Sequence, residues 1–364
     1  MRSSVSDDNI NKNLFFRLNL ENQSGLSRPE RTHECRDSLC IKCTKCFNHP
    51  VIDSPPILKL QNQQSAADGV KKYLFALKDH ALIESVLIPN KKRTTLCLST
   101  QAGCAVGCTF CATATMGLNR NLNVDEIVNQ YTCIAELEEK ICLQENRPLK
   151  NIVFMGMGEP FHNFENLCSA LDVLIETHRF HSGILTVSTI GIAHKIAEFG
   201  KRYPLVRLAV SLHTPYEKQR QELIPNNKRW TLQEIYHACK EHNRITGKEI
   251  FFEYVLMQGI NDSKEHAKDL GDWLKGLACR INLIPMHPGT NNIFSSTDWE
   301  KAQIFRQHLQ QHFGGTITFR TSRGLEISAA CGQLAIKEKQ HTKVKNFLGF
   351  PEELGHDRSV EEQA

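Results

Sequence analysis

The chain has 364 residues, 40% of them hydrophobic, so it can bury a substantial core, and a disordered polypeptide is excluded. No run of about eighteen apolar residues is present to span a bilayer, and the polar opening MRSSVSDDNINKN lacks the apolar stretch of a secretory signal, so the expectation is a cytoplasmic protein without a membrane partner. A net charge of +4 and a pI near 8.3 permit an anionic partner but fall short of a dedicated nucleic-acid binder.

Residues 1–68 read as a polar arm rich in Asn and Ser that closes on QNQQSAADG as a linker. Inside it, HECRDSLCIKCTKCFNH places His33, Cys35, Cys40, Cys43, Cys46 and His49 at Cx4C, Cx2C and Cx2C spacings. Four thiols so close together make a zinc site or an iron-sulfur cluster the expectation, with a metal-free cysteine-rich arm as the alternative.

From about Lys71 short apolar runs alternate with amphipathic stretches. The segments ALIESVLIP, RTTLCLST, NIVFMGM, LTVSTIG, VRLAVSLH, EIFFEYVLM, INLIPM and TITFRTS read as strands, being rich in branched or aromatic residues and bounded by turn residues. Helices fall between most of them. Asn123 opens NVDEIVNQYTCIAELEEKICLQ with acidic residues in its first turn, and Thr231 and Glu234 make a capping box for TLQEIYHACKEHNRI. Alternation of this kind argues for an α/β fold of βα units, a complete or partial (β/α) barrel, with an open doubly wound sheet as the alternative. Either way, ligands are expected at the C-terminal ends of the strands.

Basic groups occur at Lys91, Lys92 and Arg93 next to a cysteine-rich loop, at Arg320 and Arg323, and at Lys337, Lys339, Lys343 and Lys345 in the tail. Each is either a solvated face or a track for phosphates. Of the fourteen cysteines, Cys133, Cys142, Cys168, Cys239 and Cys279 stand singly among apolar or helical residues and read as inert buried thiols.

The stretch CLSTQAGCAVGCTFC follows the strand RTTLCLST and sets Cys104, Cys108 and Cys111 at CxxxCxxC spacing, with Cys97 seven residues upstream. A closed zinc site wants four ligands, whereas three leave an open position for chemistry; a zinc loop completed by a distant ligand is the alternative. With Phe110 aromatic before the last cysteine, the loop resembles the motif of the radical S-adenosylmethionine superfamily. The blocks FMGMGEPFHNF, TVSTIGI, LAVSLHTP, ELIPNNKRW, FFEYVLMQGIND, INLIPMHPGT and SAACGQLA narrow the resemblance to the adenine-methylating radical enzymes of ribosomal RNA, the RlmN type (carbon 2) and the Cfr type (carbon 8). They occur in family order from Ala81 to Ala335, about seventy percent of the chain.

The resemblance implies a radical-SAM partial barrel with a β-hairpin extension over residues 69–322 and a C-terminal segment, 323–364, carrying a methyl-carrier cysteine. It implies a [4Fe-4S] cluster on Cys104, Cys108 and Cys111, whose open iron is chelated by S-adenosylmethionine. Gly158, Glu159, Ser188, Ser211, Leu212 and His213 are implied as cofactor contacts. Two cofactor molecules serve each turnover: one methylates Cys331, and the other yields a radical that activates the S-methyl group for attack on the adenine ring. Cys97 then resolves the adduct and leaves a Cys97–Cys331 disulfide for an external reductant to reset.

The implied base is Glu84. A hairpin centred between Asn90 and Lys91 would set it opposite Cys97 on the same sheet face. Implied partners are 23S ribosomal RNA, with transfer RNA also in range, and a reducing electron donor. Three features depart from the pattern: the cysteine-rich arm where an accessory helical domain is usual, His287 where the family usually has a cofactor-contacting asparagine, and Met116 where a polar residue is common. Alternatives are a radical enzyme with another acceptor and a non-catalytic iron-sulfur RNA-binding or redox protein.

Overall fold

In the computed structural model, which describes residues 57–287 and 294–334, ten strands form one sheet whose spatial order follows the chain. It begins with antiparallel β1 (Lys59–Ser65), β2 (Lys71–Ala76) and β3 (Leu82–Pro89) and continues into β4 (Thr94–Cys97). A small separate ladder, β5 (Gln101–Gly103) with β6 (Leu118–Asn121), brackets the cysteine loop. The parallel part then adds β7 (Leu149–Phe154), β8 (Leu185–Thr189), β9 (Arg207–Ser211), β10 (Ile250–Leu256), β11 (Cys279–Pro285) and β12 (Thr316–Phe319).

The intervening helices are α1 (Val124–Gln144), α2 (Phe164–Glu176), α3 (Ala193–Arg202), α4 (Glu217–Leu223), α5 (Leu232–Thr246), α6 (Lys264–Trp273) and α7 (Trp299–His312). A doubly wound sheet reverses its strand order at a switch point. Here the order never reverses and β12 does not pair back onto β1, so the architecture is a partial (β/α) barrel with an antiparallel extension. No helix among the described residues is long and apolar enough to cross a membrane.

Both faces of a parallel sheet are covered, which is why its strands read as apolar runs. Ile152, Val153 and Phe154 of β7 and Leu208, Ala209 and Val210 of β9 are all buried. Helix starts follow their chemistry: the capping boxes Asn123–Glu126 and Thr231–Glu234 are both formed, and α5 ends on Gly247 in the left-handed region.

Two expectations change. The stretch expected as a linker contains edge strand β1, whose side chains stay largely exposed; KLQNQQS has neither strand propensity nor alternation, and only its ladder to β2 makes it a strand. The β3–β4 hairpin is shifted by two residues. Val86 pairs with Cys97 and Pro89 with Thr94, and the turn is the four-residue loop from Asn90 to Arg93, closed by an Asn90 N–H to Arg93 carbonyl bond of 2.8 Å. A two-residue turn at Asn90–Lys91 would need left-handed backbone at both positions, and neither adopts it. An even shift keeps Glu84 on the face expected for it but moves it away from Cys97, beside Leu74 of β2.

The exit from β4 is fixed by a buried amide. Gln130 of α1 accepts from the Ser85 hydroxyl (2.7 Å) and the Ser99 N–H (2.8 Å), and donates to the carbonyls of Ser99 (2.9 Å) and Glu126 (3.2 Å). The Ser99 hydroxyl donates to the Glu84 carbonyl (2.6 Å) and accepts from the Met157 N–H (2.8 Å). Gln130→Leu strands the Ser99 N–H and carbonyl and the Ser85 hydroxyl in the core. It is expected to cost about 3–5 kcal/mol, read as a lowered urea midpoint.

Candidate active site

The cysteine loop is held by backbone bonds from three parts of the chain. Cys104 N–H donates to the Gly117 carbonyl (2.8 Å), Thr109 N–H to the Leu223 carbonyl (3.0 Å) and Ala112 N–H to the Gly332 carbonyl (2.7 Å). Asn226 adds a side-chain donor to the Ala105 carbonyl at 2.6 Å, and its N–H reaches the Val106 carbonyl at 3.2 Å. The ELIPNN block therefore braces the loop from outside the β5–β6 ladder. Phe110 meets the His213 ring edge-on at 4.8 Å.

Cys104, Cys108 and Cys111 all line one cavity of about 460 Å³. Burial raises all three thiols, Cys104 up to about 12, and each is raised further by a neighbouring thiol of the set or of Cys331. Among the described residues no three ligand-type side chains converge tightly enough to hold a single ion. A cubane takes each thiolate on a different iron, so three spaced thiols on one buried wall fit a cluster better than a lone zinc.

The GMGEP turn faces this loop. Gly158 has φ +99°, and a Cβ there would stand 2.5 Å from Gln101 Cβ, so only glycine lets the turn pack against β5. Glu159 is 3% exposed on the cavity wall, and its carboxylate accepts the N–H groups of Phe161 and Ile190, each at 2.9 Å. Burial pushes its carboxyl up to about 7, against the pull of Thr189, those two donors and Arg220.

Ser188 and Ser211 lie at the ends of β8 and β9 on the same wall, as the barrel geometry requires. His213 follows with φ +65°, held by Asn261 Nδ2 donating to its carbonyl at 2.7 Å. Its Nδ1 accepts the Val255 N–H at 3.1 Å, so the proton sits on Nε2, and burial followed by the nearby Arg220 lowers its pKa to about 3. His287 also lines the cavity; its Nε2 is buried without a hydrogen-bond partner among the described residues, as expected of an atom that awaits a ligand.

Cys97 and Cys331 share the cavity with the cluster thiols. Cys97 is buried at the end of β4, and Cys331 is exposed on the segment that follows β12. That segment crosses the open side of the barrel. Arg323 bonds the carbonyls of Pro89 and Asp68, Gly324 N–H reaches the Asp68 carboxylate at 2.9 Å, and Thr113 Oγ1 donates to the Leu334 carbonyl at 2.6 Å.

Several expected residues stand elsewhere. Leu212 is fully buried off the cavity wall, its N–H on the Glu253 carbonyl at 3.1 Å. Glu84 is also off the wall and wholly buried; Lys72 holds its carboxylate at 2.9 Å and also reaches the carbonyl of Ser328, three residues before Cys331. Arg323 is committed to internal bonds instead of facing phosphate. Lys91, Lys92 and Arg93 are exposed, but at the opposite end of β4 from the cysteine loop. Met116 lies exposed on the turn after the loop. His33, Cys35, Cys40, Cys43, Cys46, His49 and the tail lysines fall outside the described residues.

The sequence reading missed two charged residues. Glu253, inward on β10, lines the cavity, and its signal was a lone acid inside the apolar run IFFEYVL. Arg220 is buried beneath the site and donates to the carbonyls of Ile190 and Ser211; nothing in EKQRQEL sets it apart from its polar neighbours.

Asn226→Ala removes the brace on Ala105 without touching a thiol. It is expected to lower the iron retained per chain several-fold after anaerobic gel filtration, with the far-UV spectrum unchanged; full iron content would show that the brace does not set the loop.

The Radical SAM superfamily model matches residues 98–270, and a [4Fe-4S] cluster and S-adenosylmethionine come with that superfamily. The chain is 43% identical over 274 residues to "Dual-specificity RNA methyltransferase RlmN 2" of Myxococcus xanthus, covering 74% of this chain and 72% of that protein. It is 40% identical over 303 residues to the "Dual-specificity RNA methyltransferase RlmN" of Syntrophobacter fumaroxidans, covering 83% and 86%. The crystal structure of a radical SAM methyltransferase from Sphaerobacter thermophilus superposes with a TM-score of 0.72 at 41% identity, over 76% of this chain and 81% of that one. Identity at this level, over most of each partner and on the same fold, shows that the chain belongs to the RlmN family of the radical SAM superfamily.

Proposed function

We propose that the protein methylates carbon 2 of adenine in 23S ribosomal RNA and in transfer RNA, in the cytoplasm, using two S-adenosylmethionine molecules per turnover and a reducing electron donor. The observation that carries this reading is the single cavity shared by Cys104, Cys108, Cys111, Cys97 and Cys331. Carbon 2 of adenine is too poor a nucleophile for direct methyl transfer, so a carrier thiol beside a radical source answers the chemical difficulty. The bound cluster and cofactor would supply one-electron chemistry and hydrogen abstraction.

The chain's own residues do the rest. Cys331, exposed at the rim, accepts the first methyl group and presents it to the base. Glu159, Ser188, Ser211, His213 and His287 orient the cofactor, with neutral His213 offering its Nε2–H. The Val255 N–H on its Nδ1 keeps that ring from turning. Cys97 frees the product by attacking the Cys331 sulfur. Glu84 keeps its assignment as the base that removes the ring proton, which requires its buried pair with Lys72 to open when RNA enters. The exposed Lys91, Lys92 and Arg93 meet phosphate, so binding should weaken as salt rises. The same reading puts a second metal on Cys35, Cys40, Cys43 and Cys46.

Cys97→Ala, expressed in cells and isolated under denaturing conditions, is expected to carry RNA joined covalently through Cys331, and sequencing that RNA names the substrate. Cys331→Ala should abolish methylation and adduct alike. Absence of an adduct in Cys97→Ala, with cofactor cleavage intact, would point to a different acceptor.

A further inference from the structure

Cys97 is a poor nucleophile where it stands. It is 7% exposed, with Val86 of β3 and Val153 of β7 as its ladder partners, and burial pushes its thiol up to about 12. Attack on sulfur requires the thiolate. The cation that acts on it is Arg320, just past β12 on the same cavity wall. Its Nη1 points at Met155 Sδ at 3.6 Å, and the Met155 N–H meets the Cys97 thiol. On the other side Nη1 lies 3.9 Å from Glu253 Oε2, an oxygen buried without a hydrogen-bond partner among the described residues, while Glu253 Oε1 accepts from Asn282 Nδ2 at 2.9 Å.

Among the described residues the remaining charges around Cys97 are committed or neutral. On β3, Glu84 is held by Lys72; β7 brings Val153 and Met155; Arg323 is spent on Asp68 and Pro89. That leaves Cys331, whose thiolate raises Cys97 and draws on the same guanidinium.

We infer that Arg320 is a positioning residue for product release: its guanidinium takes up the charge of the Cys97 thiolate, with Glu253 as the competing anion that holds it in the cavity between turnovers. The inference rests on the reading of Cys97 as the resolving thiol. It also supplies an order of events. While Cys331 is an ionisable thiol it competes for Arg320; once its sulfur carries carbon it is a neutral thioether, and the guanidinium is left to Cys97.

The release step balances. The Cys97 thiolate forms the S–S bond, the bond from the Cys331 sulfur to the methylene carbon breaks, and the electron pair passes to that carbon. The carbon takes one proton from water to become the methyl group. Both sulfurs are oxidised, and an external dithiol returns them to thiols.

The test treats anaerobic, cluster-loaded protein with iodoacetamide across about pH 6 to 10 and reads Cys97 alkylation by peptide mass spectrometry. Arg320→Met is expected to slow alkylation of Cys97 roughly tenfold, moving the profile up by about one pH unit. Arg320→Lys should restore most of the rate, and Glu253→Gln should move the profile the other way. Mere loosening of the wall would expose the thiol and speed alkylation in Arg320→Met, so a faster or unmoved profile overturns the role of Arg320. In cells, Arg320→Met should accumulate the RNA adduct as Cys97→Ala does; an adduct in Cys97→Ala with none in Arg320→Met also overturns it. No adduct in Cys97→Ala sinks the resolving reading itself, whatever the alkylation profile shows.

Discussion

The site depends on one buried amide. Gln130 sits 0% exposed on α1 and satisfies the backbone of Ser99 in both directions, together with the Ser85 hydroxyl. Ser99 is where the chain leaves β4, so the amide fixes the direction in which the cysteine loop departs. Through the Ser99 hydroxyl the same network grips the Met157 N–H and the Glu84 carbonyl. One side chain thus aligns the hairpin, the thiol loop and the GMGEP turn, and a low-dielectric setting makes each of these bonds costly to break.

Around that frame the cavity is built from charges that would be unaffordable singly. Glu159 is balanced by two N–H donors and by the field of Arg220; Glu253 faces Arg320; Glu84 is closed off by Lys72. Buried charges persist only when compensated, and removing one partner strands the other. The compensation is incomplete on the cavity side, where Glu253 Oε2 and His287 Nε2 lack hydrogen bonds among the described residues. Those atoms mark where ligand contacts belong, because an unpaired polar atom in a dry site favours whatever can bond to it.

The open barrel raises a second problem, which the segment after β12 answers. A sheet that stops short of closure leaves one flank of the cavity to water. Arg323 and Gly324 tie the returning chain to the β1–β2 hairpin, and Gly332 and Leu334 tie it to the cysteine loop. The tie is tight at Gly324, whose φ is +68° and whose Cβ would stand 2.7 Å from Val70 Cγ1. The strap both covers the flank and carries Cys331 to the thiols. Reactive intermediates survive only where water is excluded, so cover and carrier belong on the same piece of chain.

The sequence by itself determined the strand and helix pattern of the barrel, the capping boxes at Asn123 and Thr231, and the cysteine, glycine and glutamate motifs, because periodicity, caps and motif spacing are local properties. The convergence of Cys97, Cys331 and the loop thiols was legible only through family resemblance, since no local rule joins residues so far apart in the chain. Tertiary structure alone decided the hairpin register, which moved Glu84 away from Cys97, and the strand at Lys59–Ser65, which exists only because β2 pairs with it. It also turned Arg323 inward and set Glu253 and Arg320 facing each other on the wall of the reaction cavity. Register, burial and the pairing of charges depend on which distant segment lies opposite, and that is settled only when the whole sheet has assembled around its core.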